Sequence, residues 1–212
     1  MQSIPYWAIT AVGFLAQFFF SARILIQWAK SEKTKKLESP TMYWVFSIIG
    51  SYTFVVYGLL RSDFSIILGQ FVSYYIYIWN LNVKGAWVKI PRSIRYVLVA
   101  TPLLACILVS GHSSDLVSKF FRNDDRPLWL VVYGSFFQLI FSLRFVYQWY
   151  RSHKMHDSIM PTSFWVLSLI GAAGICSYGL IVKGLDIVLI VGQGFGIIAY
   201  SRNVMIGLKS KR

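Results

Sequence analysis

Acidic residues are scarce. Of 212 residues only eight are Asp or Glu, and all eight fall in short polar connections or at the ends of apolar runs. No carboxylate sits in the middle of such a run. That argues against a buried acid pair for general acid–base catalysis, and it removes the usual carboxylate of a proton-coupled carrier. Cysteine is nearly absent. Cys106 and Cys176 each lie inside an apolar run, which fits packing and not a disulfide or a metal pair. His153 and His156, with Asp157 nearby, occupy a short basic connection and lack the spacing of a metal enzyme. No metal and no cofactor is expected. Charged residues of both signs make up 14% of the chain, against about a quarter in a soluble domain.

Apolar residues fill that gap. They are 56% of the chain, the mean hydropathy is +0.56, and several runs reach the roughly 20 residues that cross a bilayer. Seven spans are expected, at about 5–29, 42–60, 64–83, 94–111, 128–150, 162–182 and 186–207. Backbone groups in lipid must be satisfied within the segment, so the spans are helices and the fold class is an all-α membrane protein. The N-terminus does not read as a signal peptide, because no basic region precedes the first run and Arg23 interrupts it.

The net charge is +13, yet the cations sit in connections between apolar runs, as orientation signals do. That excludes nucleic acid as the expected partner. Lys30, Lys33, Lys35, Lys36, Lys84, Lys89, Arg92, Arg95, Arg151, Lys154, Lys209, Lys211 and Arg212 give one side 13 cations. Arg61, Lys119, Arg122, Arg126 and Lys183 give the other side five. The N-terminus is therefore expected outside and the C-terminus in the cytoplasm, with basic connections meeting anionic membrane lipids.

The chain repeats itself. At a constant offset of 121, Gln17, Ser21, Arg23, Gln27, Trp28 and Ser31 recur as Gln138, Ser142, Arg144, Gln148, Trp149 and Ser152. Pro40, Thr41, Trp44, Ser47, Gly50, Tyr57 and Gly58 recur as Pro161, Thr162, Trp165, Ser168, Gly171, Tyr178 and Gly179. At an offset of 123, Asp63, Gly69, Gln70, Tyr77 and Asn80 recur as Asp186, Gly192, Gln193, Tyr200 and Asn203. The expected plan is 3+1+3: a first three-helix repeat at 1–83, a linker helix with flanking loops at 84–126, and a second repeat with a basic tail at 127–212. One linker span makes the two repeats parallel.

These residues carry a resemblance. F-S-x-R-x-x-x-Q-W, P-T-x-x-W, S-x-x-G, Y-G, D, G-Q and a closing N, over residues 17–82 and 138–204, resemble the lipid-A-disaccharide synthase N-terminal domain family. The plan also resembles, in topology only, SWEET sugar transporters, PQ-loop transporters and the KDEL receptor. The chain as read carries no glycosyltransferase domain, so the resemblance does not carry synthase chemistry to it. It implies a role in lipid A or envelope-lipid handling at the bacterial inner membrane, with polyprenyl-phosphate-linked sugars as the candidate cargo.

Arg23 and Gln27 are four residues apart and share a helix face. A charge inside a span costs at least about 2.5 kcal/mol near its centre, unless the side chain snorkels to the interface. Its recurrence as Arg144, with Gln148, favours the interior. Gln70, Ser73, Tyr77 and Asn80 form one stripe, and Gln193, Tyr200 and Asn203 another. Interhelical hydrogen bonding is the structural alternative for these groups. The functional reading is a pocket in which Arg23 and Arg144 face each other on the cytoplasmic side. Tyr77, Asn80, Tyr200 and Asn203 lie near that depth, and Gln17, Gln138, Gln70 and Gln193 nearer the midplane. Guanidinium suits phosphate because it donates in a fork. Arg202 replaces Trp79, so the halves are not equivalent. Pro40 and Pro161 fit the first helical position, Gly192, Gly194 and Gly196 fit close packing, and Asp63 and Asp186 fit helix caps.

The expectation is a non-enzymatic transporter or flippase for an undecaprenyl-phosphate-linked or otherwise anionic lipid-linked sugar. Two alternatives stand beside it: a membrane partner of a lipid A glycosyltransferase, and a receptor for a small ligand or peptide.

Overall fold

The computed structural model describes residues 5–60, 64–110, 127–181 and 187–210. Among these residues every regular element is helical. The seven α-helices are α1 (Tyr6–Thr34), α2 (Thr41–Leu60), α3 (Phe64–Val83), α4 (Arg92–Ser110), α5 (Leu128–Met155), α6 (Thr162–Ile181) and α7 (Ile187–Lys209), and a 3₁₀ turn at Trp87–Lys89 precedes α4. Four of them, α1, α2, α5 and α6, are long and apolar enough to cross a membrane. Both α1 and α5 run past the apolar segments that announce them, by about a turn, into basic sequence. Thr41 and Thr162 open α2 and α6, so Pro40 and Pro161 stand one residue ahead of the first helical position.

The described polarity is inside out. Phe14, Phe18 and Leu25 of α1 and Phe136, Leu139 and Leu143 of α5 are exposed, whereas Arg23, Gln27, Ser31, Arg144, Gln148 and Ser152 are buried. In water such an apolar surface would drive association. Against lipid it is the natural outer face, and interhelical polar contacts belong inside.

Two compact units divide the chain, Met1–Arg23 with Thr41–Arg122, and Ile24–Pro40 with Asn123–Arg212. Packing units and sequence repeats are thus different divisions. The last part of α1 and the loop after it belong with the second unit.

In the first unit α2 packs on α3, and α4 packs on both. Gly50 lets α1 come close, since a Cβ there would sit 2.9–3.0 Å from the Phe20 ring. Pro102 lies inside α4. Its missing N–H leaves the carbonyl four residues earlier without its helical donor. That carbonyl belongs to Leu98, and the Tyr74 hydroxyl donates to it at 2.9 Å. Tyr75 donates to the next one, Val99, also at 2.9 Å.

In the second unit α5 packs on α6 and α6 on α7. Gly171 brings backbones together: a Cβ there would lie 2.8–2.9 Å from the Cβ, Cα and N of Phe141. Tyr178 lies over Gly134, as Tyr57 lies over Gly13 in the first unit. This Gly–Tyr pair also repeats at the offset of 121.

Candidate functional site

The repeated signature separates into a part that builds a turn and a part that holds a buried charge. The turn comes first in the chain. Gln148 Nε2 donates to Ser152 Oγ at 2.8 Å and to the Ile159 carbonyl at 2.8 Å, and the Ile159 amide donates to Ser152 Oγ at 3.1 Å. The earlier copy does the same. Gln27 Nε2 reaches Ser31 Oγ at 2.9 Å and the Glu38 carbonyl at 3.3 Å, and the Glu38 amide donates to Ser31 Oγ at 3.0 Å. Each loop can return this sharply because one residue adopts a left-handed conformation, Lys35 at φ 56° and His156 at φ 53°. These positions are also 121 apart. His156 therefore ends α5, with its ring 6.3 Å from that of His153.

Gln27 has one further partner within the second unit. Its Nε2 donates to Asn203 Oδ1 at 2.9 Å, while Asn203 Nδ2 donates to the Ala199 carbonyl at 2.9 Å. Asn80 makes the matching bond to the Ile76 carbonyl in the first unit, at 2.9 Å. Both Asn residues are fully buried.

The buried charge of the first unit is Arg23, 6% exposed. It does not snorkel. Its Nη1 donates to Ser47 Oγ at 3.0 Å and to Tyr77 Oη at 3.1 Å. Ser47 Oγ in turn donates to the Tyr43 carbonyl at 2.6 Å. The guanidinium carbon lies 4.7 Å from the Phe20 ring centroid, 5.4 Å from Tyr43 and 5.5 Å from Tyr77. Hydroxyls and π faces orient the cation. Trp44 packs on this group, its ring 6.0 Å from that of Tyr77 and 4.9 Å from that of Tyr43.

The second unit buries Arg144, 4% exposed, among the Phe141, Phe145 and Phe164 rings. Trp165 and Tyr200 stand 6.0 Å apart, the same spacing as Trp44 and Tyr77. The Arg144 guanidinium lies 3.2 Å from the Phe141 centroid and 4.6 Å from Phe145. Its Nη1 donates to the Phe141 carbonyl at 2.6 Å. Trp165 is fully buried, and its Nε1 has no hydrogen-bond partner among the described residues.

The remaining expected site residues are placed as follows. Gln70 is half-buried and accepts from Ser51 Oγ at 3.0 Å. Gln193 is half-buried, and Gln17 and Gln138 are exposed. Gly196 packs against the Tyr200 ring, whereas a Cβ on Gly194 would meet nothing within 4 Å. Asp63 and Asp186 lie outside the described residues. The serines at 31, 47 and 152 contribute as much as the expected set, and their recurrence at the offset of 121 was the signal that marked them.

Arg202, the residue that distinguishes the halves, has a definite partner. Its Nε and Nη2 donate to Glu32 Oε2 and Oε1 at 2.8 and 2.6 Å, and Lys35 Nζ reaches Oε1 at 2.6 Å. Glu32 lies in the last turn of α1, beyond the apolar segment. Hydrogen bonds from Arg202 and Lys35 hold its carboxyl down at about 2.

These features define a class: an all-helical protein with membrane-length apolar helices and tandem repeats, each burying one arginine among aromatic rings. The chain belongs to the Lipid A Biosynthesis N-terminal domain family, whose profile matches residues 12–82 and 133–205. The two matched segments begin 121 residues apart, the offset of the repeat. Curated relatives include the lipid-A-disaccharide synthase of Chlamydia felis (strain Fe/C-56), 29% identical over 95% of this chain and 33% of that protein. The synthase of Chlamydia pneumoniae is 26% identical over 95% of this chain and 34% of its own length. That of Chlamydia muridarum (strain MoPn / Nigg) is 27% identical over 97% and 35%. The chain thus spans about a third of the length of the curated relatives it matches. No solved structure matches it.

Proposed function

We propose that the protein moves an anionic lipid-linked sugar, of the undecaprenyl-phosphate type, across the bacterial inner membrane to serve lipid A or envelope glycolipid modification. It does so without covalent chemistry. Seven spans in a 3+1+3 plan, with the N-terminus outside and the C-terminus cytoplasmic, are part of this reading. The observation that carries it is the buried guanidinium of Arg23, oriented by the neutral hydroxyls of Ser47 and Tyr77. A cation kept inside apolar helices is costly and marks a ligand path by default. Arg144 repeats it, and the buried Trp165 N–H adds a donor. Such donors suit a phosphate oxygen. Membership in a lipid A biosynthesis family supports the choice of cargo. Mass spectrometry of envelope lipids tests it: loss of the gene should remove one sugar modification and accumulate its lipid-linked donor. An unchanged envelope with no accumulated donor would contradict it.

A second reading has its own observation. The relatives that match over a third of their length are named for a synthase, so this chain is alternatively the membrane partner of a lipid A glycosyltransferase. Under that reading the basic segment Lys30–Lys36 matters more than Arg23 and Arg144, and substituting its lysines should abolish the modification while the arginine variants keep it.

A further inference from the structure

A basic groove lies outside both family-matched segments. It measures about 440 Å³ and is lined by Trp87, Arg92, Arg95, Tyr96 and Val99. Trp87 comes from the 3₁₀ turn after α3, and the other four from the first turns of α4. All belong to the first unit. The volume is in the range of small-ligand sites and exceeds what a single ion needs.

The charge there is on the wrong end of the helix. The positive pole of a helix dipole lies at its N-terminus, where acidic residues are favoured and basic ones are not. The first turn of α4 has no acid and carries Arg92 and Arg95 instead. The Arg95 amide closes the first turn onto the Pro91 carbonyl at 3.1 Å, so the amides before it have no helical acceptor. Arg95 Nε is shielded from solvent and has no hydrogen-bond partner among the described residues. An anion in the groove would relieve the repulsion and satisfy these donors together.

The aromatic lining narrows the choice. Trp87 is 9% exposed and floors the groove, while Tyr96 is 75% exposed at its rim. Indole and phenol rings of this kind settle at headgroup level. A two-pronged guanidinium set beside interfacial aromatics, at the start of an apolar helix, matches a phosphate that is tethered to acyl chains. The geometry points to a binding site for the phosphodiester headgroup of an anionic membrane lipid at Trp87, Arg92, Arg95 and Tyr96. This site shares no residue with the surroundings of Arg23 or Arg144 and does not depend on transport.

Native mass spectrometry of the full chain in detergent, with added phosphatidylglycerol or phosphatidylcholine, tests it. Wild type should retain phosphatidylglycerol preferentially. Arg92→Gln with Arg95→Gln should cut that preference roughly tenfold, as expected for losing one or more charge-assisted hydrogen bonds. Lys119→Gln with Lys183→Gln, which removes the same charge from the less basic set of connections, should leave it unchanged. Equal losses in both double variants, or none in either, would overturn the site. Displacement by soluble glycerol phosphate as effective as by the lipid would overturn the lipid as ligand. Should the arginine variant not fold, Tyr96→p-benzoylphenylalanine keeps both arginines. Illumination should then crosslink phosphatidylglycerol in preference to phosphatidylcholine, and equal crosslinking would overturn the proposal.

Discussion

Arg23 Nη1 donates to Tyr77 Oη at 3.1 Å across 54 residues of sequence. The bond joins the first and third helices of one repeat at the same depth. It is also the point at which a charge inside an apolar helix becomes part of a cage. Lysine cannot reproduce its setting, because a compact, strongly hydrated ammonium lacks the planar face that lies among the Phe20, Tyr43 and Tyr77 rings. Arg23→Lys should therefore lose most transport while the chain still folds. Tyr77→Phe, which keeps the ring but removes the acceptor, should lower transport less than Arg23→Ala does. A proteoliposome assay alongside a thermal melt separates these outcomes.

Tyr74 makes a different prediction. Its hydroxyl serves the Leu98 carbonyl that Pro102 leaves open. Tyr74→Phe should cost about 1–3 kcal/mol, the penalty of an unsatisfied buried acceptor. Adding Pro102→Ala should recover part of it, since the helix can then supply its own N–H. Melting temperatures of the single and double variants measure both.

The glycines should not behave alike. Gly171→Ala places a Cβ against the backbone of Phe141 at 2.9 Å, and overpacking of that kind costs about 1–3 kcal/mol. Gly194→Ala meets nothing within 4 Å and should be neutral, or stabilising by up to about 1 kcal/mol through helix propensity. Equal losses in the two variants would contradict the packing described for α5 and α6.

The ion pair between Glu32 and Arg202 predicts a pH window. The Glu32 carboxyl falls from 4.5 to about 2 on folding. A depressed carboxylate contributes stability that is complete above its unfolded value and fades as pH falls toward its folded one. The melting difference between wild type and Glu32→Gln should be constant above pH 4.5 and shrink from there down to about 2. The pair is half-exposed, so high salt should also narrow the difference.

The repeat was legible because polar residues in apolar helices are rare and their order recurs. The depth argument that set Tyr77 beside Arg23 needed only the shared direction of the first and third helices. Other placements were not legible. Gln27 and Gln148 share a face with the arginines, but both amides are engaged in the returning turns. Those turns depend on left-handed Lys35 and His156, where sequence reasoning looks for Gly or Asn. Gln17 and Gln138 recur faithfully and yet are exposed. A helix that is apolar all round has no polar face to reveal which way a given residue points. The groove beside α4 escaped for another reason: its residues have no counterpart in the second repeat.

The direct test of the account is translocation itself. Purified protein in liposomes should move a labelled undecaprenyl-phosphate-linked sugar between leaflets. Arg23→Ala with Arg144→Ala, confirmed folded by its melt, should reduce the rate to that of empty liposomes. Transport at the wild-type rate in the folded double variant would contradict the role given to the two buried arginines.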